Sequence, residues 1–121
     1  MTKELREKVW AAYNDCNCAY CGCEITFETM EVDHIEPTER CGKNDSLDNL
    51  VPSCRSCNRS KDTYLLEEFR DRLIEDVNRL RRDSAKFRIL ERFGLIKAVD
   101  KKLVFYFEQF TGHEIYNGDI I

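Results

Sequence analysis

The spacing of apolar residues predicts a helix near the start of the chain. Within residues 2–14, Leu5, Val9 and Tyr13 recur at every fourth position, which places them on one face of a helix. Thr2 is suited to cap its first turn. The next ten residues, DCNCAYCGCE, are too rich in cysteine and in turn-forming residues for regular structure. We expect a tightly turned, irregular segment there.

Two short strands and a helix are predicted to follow. Residues 29–35, TMEVDHI, alternate apolar and polar side chains, as a half-buried strand does. Residues 36–48 gather Pro, Gly, Asn, Asp and Ser and predict a loop. Residues 50–53, LVPS, predict a second strand, and the proline places it at a sheet edge or a strand end. A helix then begins at Cys54 or one residue earlier and ends near Lys61.

The second half of the chain is predicted to be mainly helical. A long helix starts near Thr63, and its apolar stripe consists of Leu66, Phe69, Leu73, Val77 and Leu80. Ser84 starts a third helix, which ends at Gly94. The segment LVFYFEQF, residues 103–110, is aromatic and β-branched and predicts a strand rather than a helix.

Length and charge restrict the class of protein. A chain of 121 residues is expected to form one domain. It has no apolar stretch of membrane-spanning length and no signal peptide at the N-terminus, so we expect a cytoplasmic protein without a membrane partner. Residues 1–50 carry 5 basic and 11 acidic residues, whereas residues 51–102 carry 14 basic and 9 acidic residues. Any contact with nucleic acid must therefore come from one local basic face.

The seven cysteines predict a metal site. Without a secretory signal, closely spaced cysteines indicate metal binding rather than disulfides. Two pairs have the Cys-x-x-Cys spacing, and together they comprise Cys18, Cys21, Cys54 and Cys57. Four thiolates are a preferred ligand set for structural Zn²⁺. Cys16 and Cys23 offer other pairs, but with Cys41 they also suit the role of small buried apolar residues. We favour one structural Zn²⁺ on the two spaced pairs.

The segment framed by these cysteines resembles a known family. Four short sequence motifs follow one another in this order: AYCG, EVDHIEP, DNLVPSC and RSCNRSK. In that combination they resemble the HNH endonuclease family, in its cysteine-framed, McrA-like branch. The resemblance implies a ββα-metal fold, in which a two-stranded hairpin and a helix hold one divalent ion.

The expected architecture is therefore α+β. It combines a zinc-stapled ββα-metal core, about residues 15–62, with an N-terminal helix. A helical extension, about residues 63–121, would add further helices and a C-terminal strand. Together they would form a single HNH nuclease domain over residues 1–121.

The resemblance also assigns roles to four residues. Asp33 and Asn58 would bind one catalytic Mg²⁺ or Mn²⁺, His34 would be the general base, and Asn49 would hold the loop and orient the base. The chemistry agrees, because phosphodiester hydrolysis needs a base and a cation near the phosphate. Histidine accepts a proton near neutral pH. Many family members have His in place of Asn58, and an all-oxygen ligand set favours Mg²⁺ or Mn²⁺ over Zn²⁺.

Asp33 and His34 pose a geometric difficulty. Adjacent residues on a regular strand point to opposite faces of the sheet. Both side chains can address one ion only near the end of the strand or at a bulge. The sequence does not decide between these two arrangements.

The leading hypothesis from the sequence is a divalent-metal-dependent DNA endonuclease that nicks one strand or cuts both. Its partner would be double-stranded DNA, contacted through the phosphate backbone by Arg55, Arg59 and Lys61. Ordinary surface charge is an equal alternative for the two arginines. The chain would act as a monomer or a homodimer. A zinc-stabilised DNA-binding module that does not cleave, and an interaction protein that docks through the zinc frame and the long helix, are the competing hypotheses.

Overall fold

The computed structural model describes residues 1–13 and 17–109, and these form two compact units. Of the described residues, the first unit comprises 1–13, 17–66 and 104–109, and the second comprises Glu67–Leu103. No helix in the described ranges is long and apolar enough to cross a membrane. Cys16 lies outside the described residues, as does Phe110, the last residue of the predicted C-terminal strand.

The first unit begins with the helix that the apolar spacing predicts. Helix α1 spans Lys3–Tyr13, and its buried residues are Val9 and Tyr13. The Thr2 hydroxyl accepts a hydrogen bond from the Leu5 N–H at 3.2 Å, which satisfies one of the unpaired donors of the first turn. The predicted helix and its cap are therefore confirmed.

The two predicted strands form an antiparallel hairpin. Strand β1 spans Glu31–His34 and strand β2 spans Leu50–Ser53, with Asp33 opposite Val51. β1 is shorter than predicted because the Met30 N–H is taken by a turn contact to the Thr26 carbonyl. All four residues of β2 are buried. β2 is thus packed on both of its faces, whereas β1 is only partly buried.

The segment between the strands is more regular than the predicted loop. It contains helix α2, Thr38–Cys41, and a 3₁₀ turn, Leu47–Asn49. α2 follows Pro37, whose φ of −65° leads into a helix, and ends at Gly42, whose φ of 83° favours glycine. The loop prediction was therefore incomplete, because a single helical turn has too few residues to show a helical period.

Helix α3 spans Arg55–Lys61 and follows β2 directly. Cys54 caps it, since the Cys54 Sγ accepts a hydrogen bond from the Cys57 N–H at 3.4 Å. The helix ends at Asp62, a residue with a φ of 47°. This placement confirms the predicted helix and puts the second cysteine pair in its first turn.

The second unit contains the long helix and the shorter helix that are predicted after Thr63. Helix α4 spans Leu66–Asp83 and helix α5 spans Ala85–Arg92. α4 starts later than predicted, because the Tyr64 N–H bonds to the Lys61 carbonyl in a turn. α5 starts as predicted, with the Ser84 hydroxyl accepting a hydrogen bond from the Phe87 N–H at 3.1 Å.

The predicted strand at residues 103–110 is wrong over the part that the structure describes. Residues 106–109 form a 3₁₀ turn instead. The N–H groups of Tyr106 and Phe107 donate to the carbonyls of Tyr20 and Ala19, at 2.9 and 2.8 Å. Phe105 is buried with its ring edge-on to Tyr20. The aromatic pattern therefore marks packing against the first cysteine turn rather than strand pairing.

Candidate active site

Four cysteine sulfurs come together where α3 begins. The Sγ atoms of Cys18, Cys21, Cys54 and Cys57 all lie within 4.8 Å of one another. Sulfurs around a tetrahedral zinc ion, at a Zn–S distance of about 2.3 Å, are about 3.8 Å apart. The Cys21 and Cys54 sulfurs are 3.9 Å apart, so the group fits one zinc ion. The predicted quartet is the one that the fold assembles.

The cluster is electrostatically prepared for a cation. A hydrogen bond from the Cys57 thiol lowers the pKa of Cys18 to about 4, and the same bond raises the pKa of Cys57. Without a cation the sulfurs must share protons, whereas a divalent ion stabilises them all as thiolates. Cys23 and Cys41 are exposed, so the alternative that they are buried apolar residues is wrong.

Replacing Cys57 with Ser is expected to remove the zinc and to abolish cooperative folding of the first unit. A structural zinc ion contributes on the order of 10 kcal/mol in small zinc domains, more than a unit of this size can lose. Zinc content per chain and thermal melting followed by circular dichroism measure the effect. Cys41→Ser, at an exposed cysteine outside the cluster, is the matched control and should keep both properties. One bound zinc and an unchanged melting temperature in Cys57→Ser would contradict the assignment.

Asp33, His34 and Asn58 line one cavity of about 430 Å³. His34 is the last residue of β1, so the strand ends where the side chains of Asp33 and His34 both reach this cavity. The geometric difficulty is thereby resolved by the end of the strand rather than by a bulge. Asn58 reaches the same cavity from α3.

Asp33 is held by two donors that sequence reasoning did not assign to it. The Tyr20 hydroxyl donates to Asp33 Oδ2 at 2.6 Å, and Lys61 Nζ lies 3.1 Å from the same oxygen. Burial, and then the Asp33 carboxylate, raise the pKa of Tyr20 well above its usual range, so its hydroxyl remains a donor. Because both donors converge on Oδ2, Oδ1 is the oxygen that Asp33 can offer to a cation.

The prediction that Lys61 contacts phosphates is contradicted. Its side chain is 0% exposed, and Nζ also donates to the His34 carbonyl at 2.9 Å. Lys61 therefore ties α3 to the end of β1 and does not reach a bound nucleic acid. Arg55 and Arg59 are both exposed, and Arg59 lines the cavity. Helical spacing places Lys61 on the same face of α3 as Cys54 and Cys57, but its charge favoured a position at the surface.

Replacing Lys61 with Met is expected to destabilise the first unit by about 3 kcal/mol, because it leaves a buried carboxylate without its cation. Methionine keeps most of the side-chain volume, so the lost charge dominates the effect. The free energy of unfolding from urea denaturation measures it. Lys43→Met is the matched control, since that side chain is 78% exposed and 3.7 Å from Asp45. Equal stabilities of the two variants would refute a structural role for the buried lysine.

His34 has a carboxylate partner in the loop. His34 Nε2 lies 2.8 Å from Asp45 Oδ1. The hydrogen bond to His34 lowers the pKa of Asp45, so the carboxylate is ionised at neutral pH. A carboxylate on one ring nitrogen fixes the proton there and leaves the other nitrogen, Nδ1, as the basic one. Nothing in the sequence pointed to Asp45 beyond its place in a turn-rich segment.

Asn49 ties together the two ends of the loop between the strands. Its side chain is buried, and its Oδ1 accepts the Glu36 N–H at 2.8 Å. Its Nδ2 donates to the Asn44 carbonyl at 2.9 Å, one residue before Asp45. The contacts of Asn49 therefore join the start of the loop to the segment that carries the partner of His34.

Asn58 also has a partner that the sequence did not indicate. Its Nδ2 donates to Glu31 Oε1 at 2.7 Å, which links α3 to the first residue of β1. Glu31 looked only like one of the polar positions of an alternating strand. All four predicted site residues, Asp33, His34, Asn49 and Asn58, thus lie on the hairpin, the turn before β2 and α3.

A family model described as HNH endonuclease matches residues 18–63. The match begins at Cys18, the first of the four clustered cysteines, and ends just beyond α3. It includes the hairpin and the residues that line the cavity. This part of the chain is similar to the HNH endonuclease family. The four clustered cysteines of this HNH segment are consistent with the McrA-like branch.

Two relatives share the HNH segment and little else. A CRISPR-associated endonuclease Cas9 of Corynebacterium diphtheriae is 49% identical over 47 residues, which is 39% of this chain and 4% of that protein. A CRISPR-associated endonuclease Cas9 of Actinomyces naeslundii is 48% identical over 46 residues, which is 38% of this chain and 4% of that protein. The chain thus spans less than a tenth of the length of either relative.

A solved structure is also similar. The crystal structure of the Type II-C Cas9 enzyme from Actinomyces naeslundii aligns with a TM-score of 0.49 at 34% sequence identity. The alignment covers 55% of this chain and 8% of that chain.

Proposed function

We propose that this protein is a divalent-metal-dependent endonuclease that hydrolyses phosphodiester bonds in double-stranded DNA. The observation that carries the proposal is the placement of Asp33, His34 and Asn58 around one cavity, beside the four-cysteine cluster at the start of α3. These are the residue types that the reaction requires. The HNH match over residues 18–63 supports a nuclease rather than a binding module that has lost its catalytic groups.

Asp33 and Asn58 fit a hard cation. Each has one polar atom bound within the protein, Asp33 Oδ2 and Asn58 Nδ2, and each has one oxygen left for the cavity. These oxygens would hold one Mg²⁺ or Mn²⁺, which prefer carboxylate and amide oxygens. When bound, such an ion neutralises charge on the phosphate that is attacked.

His34 is the general base of the proposed reaction. Asp45 holds the proton on Nε2, so Nδ1 takes the proton from the attacking water. The water oxygen then bonds to phosphorus, the bond from phosphorus to the 3′ oxygen breaks, and the departing 3′ oxygen takes a proton from solvent. The products are a 3′-hydroxyl and a 5′-phosphate, as the family resemblance implies. The ionised Asp45 carboxylate stabilises the imidazolium that this transfer produces.

DNA is proposed to bind through its backbone. Arg59 is exposed on the wall of the cavity, and Arg55 is exposed one turn earlier on α3. Guanidinium groups on one helix can contact successive phosphates without reading base identity. Binding should therefore weaken as salt concentration rises. Nicking or double-strand cleavage then depends on whether one chain or two engage the duplex.

Wild-type protein is expected to nick supercoiled plasmid in the presence of Mg²⁺ or Mn²⁺, and His34→Ala should reduce the rate at least about 100-fold, because general base catalysis is lost. DNA binding, measured by fluorescence anisotropy without added Mg²⁺, should change little. Zinc content and melting temperature serve as the controls for folding. Wild-type binding without any metal-dependent nicking would favour a non-cleaving DNA-binding module instead.

The choice of activating metal gives a further test. Mg²⁺ and Mn²⁺ should support cleavage and added Zn²⁺ should support little, because the ligand oxygens are hard. Asn58→His supplies an imidazole and should raise the activity with Zn²⁺ or Ni²⁺ relative to Mg²⁺. Initial nicking rates across a titration of each metal measure the preference. Zn²⁺ as the best activator of the wild type would refute the all-oxygen site.

A further inference from the structure

We propose that Glu31 is a positioning residue that fixes which end of the Asn58 amide faces the catalytic ion. The inference rests on the proposed function, since it concerns the ligand set of that site. Glu31 lies outside the group of Asp33, His34 and Asn58. Its role would be to keep the neutral Asn58 amide with its oxygen toward the ion.

Strand geometry places Glu31 where it can act on α3. Side chains two positions apart on a strand share a face, so Glu31 lies on the same face of β1 as Asp33. Asp33 uses that face to reach Lys61 of α3 at 3.1 Å. Glu31 uses it to reach Asn58 of α3 at 2.7 Å. The two acidic residues thus hold the same helix at positions three residues apart.

The chemistry of the Glu31–Asn58 contact permits only one orientation of the amide. A carboxylate accepts hydrogen bonds and cannot donate them, whereas an amide has a donor end and an acceptor end. The NH₂ group of Asn58 must therefore face Glu31, and the carbonyl oxygen is directed away from it. Because Asn58 also lines the cavity, this oxygen is the atom left for a cation. Without Glu31 the amide can turn its NH₂ group toward the ion, where it cannot act as a ligand.

Glu31→Gln should weaken binding of Mn²⁺ roughly 10-fold, because loss of a partner behind a metal ligand costs 10- to 100-fold in affinity. A glutamine accepts and donates, so it no longer selects one orientation. Mn²⁺ binding to the zinc-loaded protein is measured by the loss of the free-ion electron paramagnetic resonance signal, and nicking rates are measured alongside it. The melting temperature of each variant controls for folding.

Two comparisons separate orientation from the simple loss of a negative charge. Glu39→Gln removes a different carboxylate on the wall of the same cavity, and its effect on Mn²⁺ binding should be smaller. In an Asn58→Asp background both ends of the ligand are oxygens, so Glu31→Gln should change Mn²⁺ binding no more than Glu39→Gln does. A non-additive result of this kind requires direct coupling between the two positions.

The outcomes distinguish this inference from the proposed function. Equal effects of Glu31→Gln in both backgrounds, or equal effects of Glu31→Gln and Glu39→Gln, would overturn the role of Glu31 while leaving the nuclease proposal intact. A background-dependent effect on Mn²⁺ binding in a protein that never cleaves DNA would support Glu31 and refute the nuclease. Wild-type protein that takes up no Mn²⁺ would overturn the ion site and the role of Glu31 together.

Discussion

The cluster of four cysteine sulfurs is the constraint on which the first unit depends. It joins Cys21 to Cys54 across 33 positions of chain, and the segment between them carries the hairpin and the loop. Closing such a long segment is entropically costly, and the short strands alone offer little burial to offset it. With the first turn of α3 anchored at the cluster, the rest of the helix lies along β1. Lys61 then meets Asp33, and Asn58 meets Glu31.

The buried pair of Asp33 and Lys61 is a poor source of net stability. Taking both charges out of water costs several kcal/mol, and apolar residues of the same volume often serve a fold equally well. The pair makes sense when Asp33 is a ligand, because an ion site needs a carboxylate that is both charged and fixed. Lys61 and Tyr20 supply that without occupying the second oxygen. In the proposed site, burial of this pair therefore lowers the stability of the fold but holds the Asp33 carboxylate in one position.

The sequence predicted the elements whose signals are local and missed those that depend on distant contacts. The periodicity of apolar residues predicted α1, the hairpin and the later helices. The Cys-x-x-Cys spacing predicted the four clustered cysteines. The aromatic segment after residue 103 was misread, because its backbone donors bond to the carbonyls of Tyr20 and Ala19 and not to a strand. The phosphate contact predicted for Lys61 was wrong because lysine is seldom buried without a charged partner, and its partner Asp33 lies on a distant strand. Asp45 and Glu31 became visible only once folding set them against His34 and Asn58.

The partners of the site residues follow from the chemistry of each group. Asp33 has two equivalent carboxylate oxygens, so a partner need only bind one of them. The Lys61 ammonium group does this at Oδ2. Asn58 and His34 each have two unlike ends, so their partners must select one end. A carboxylate does this because it can only accept a hydrogen bond. It binds the N–H end of the side chain and leaves the other end, with its lone pair, for the cavity. The same Glu31 would serve a histidine at position 58, the residue that many family members carry there, because the imidazole also needs its N–H turned away from the ion. An acidic residue at position 31 therefore suits both forms of the proposed site, and we expect exchange of Asn for His to change the preferred metal without requiring a new partner.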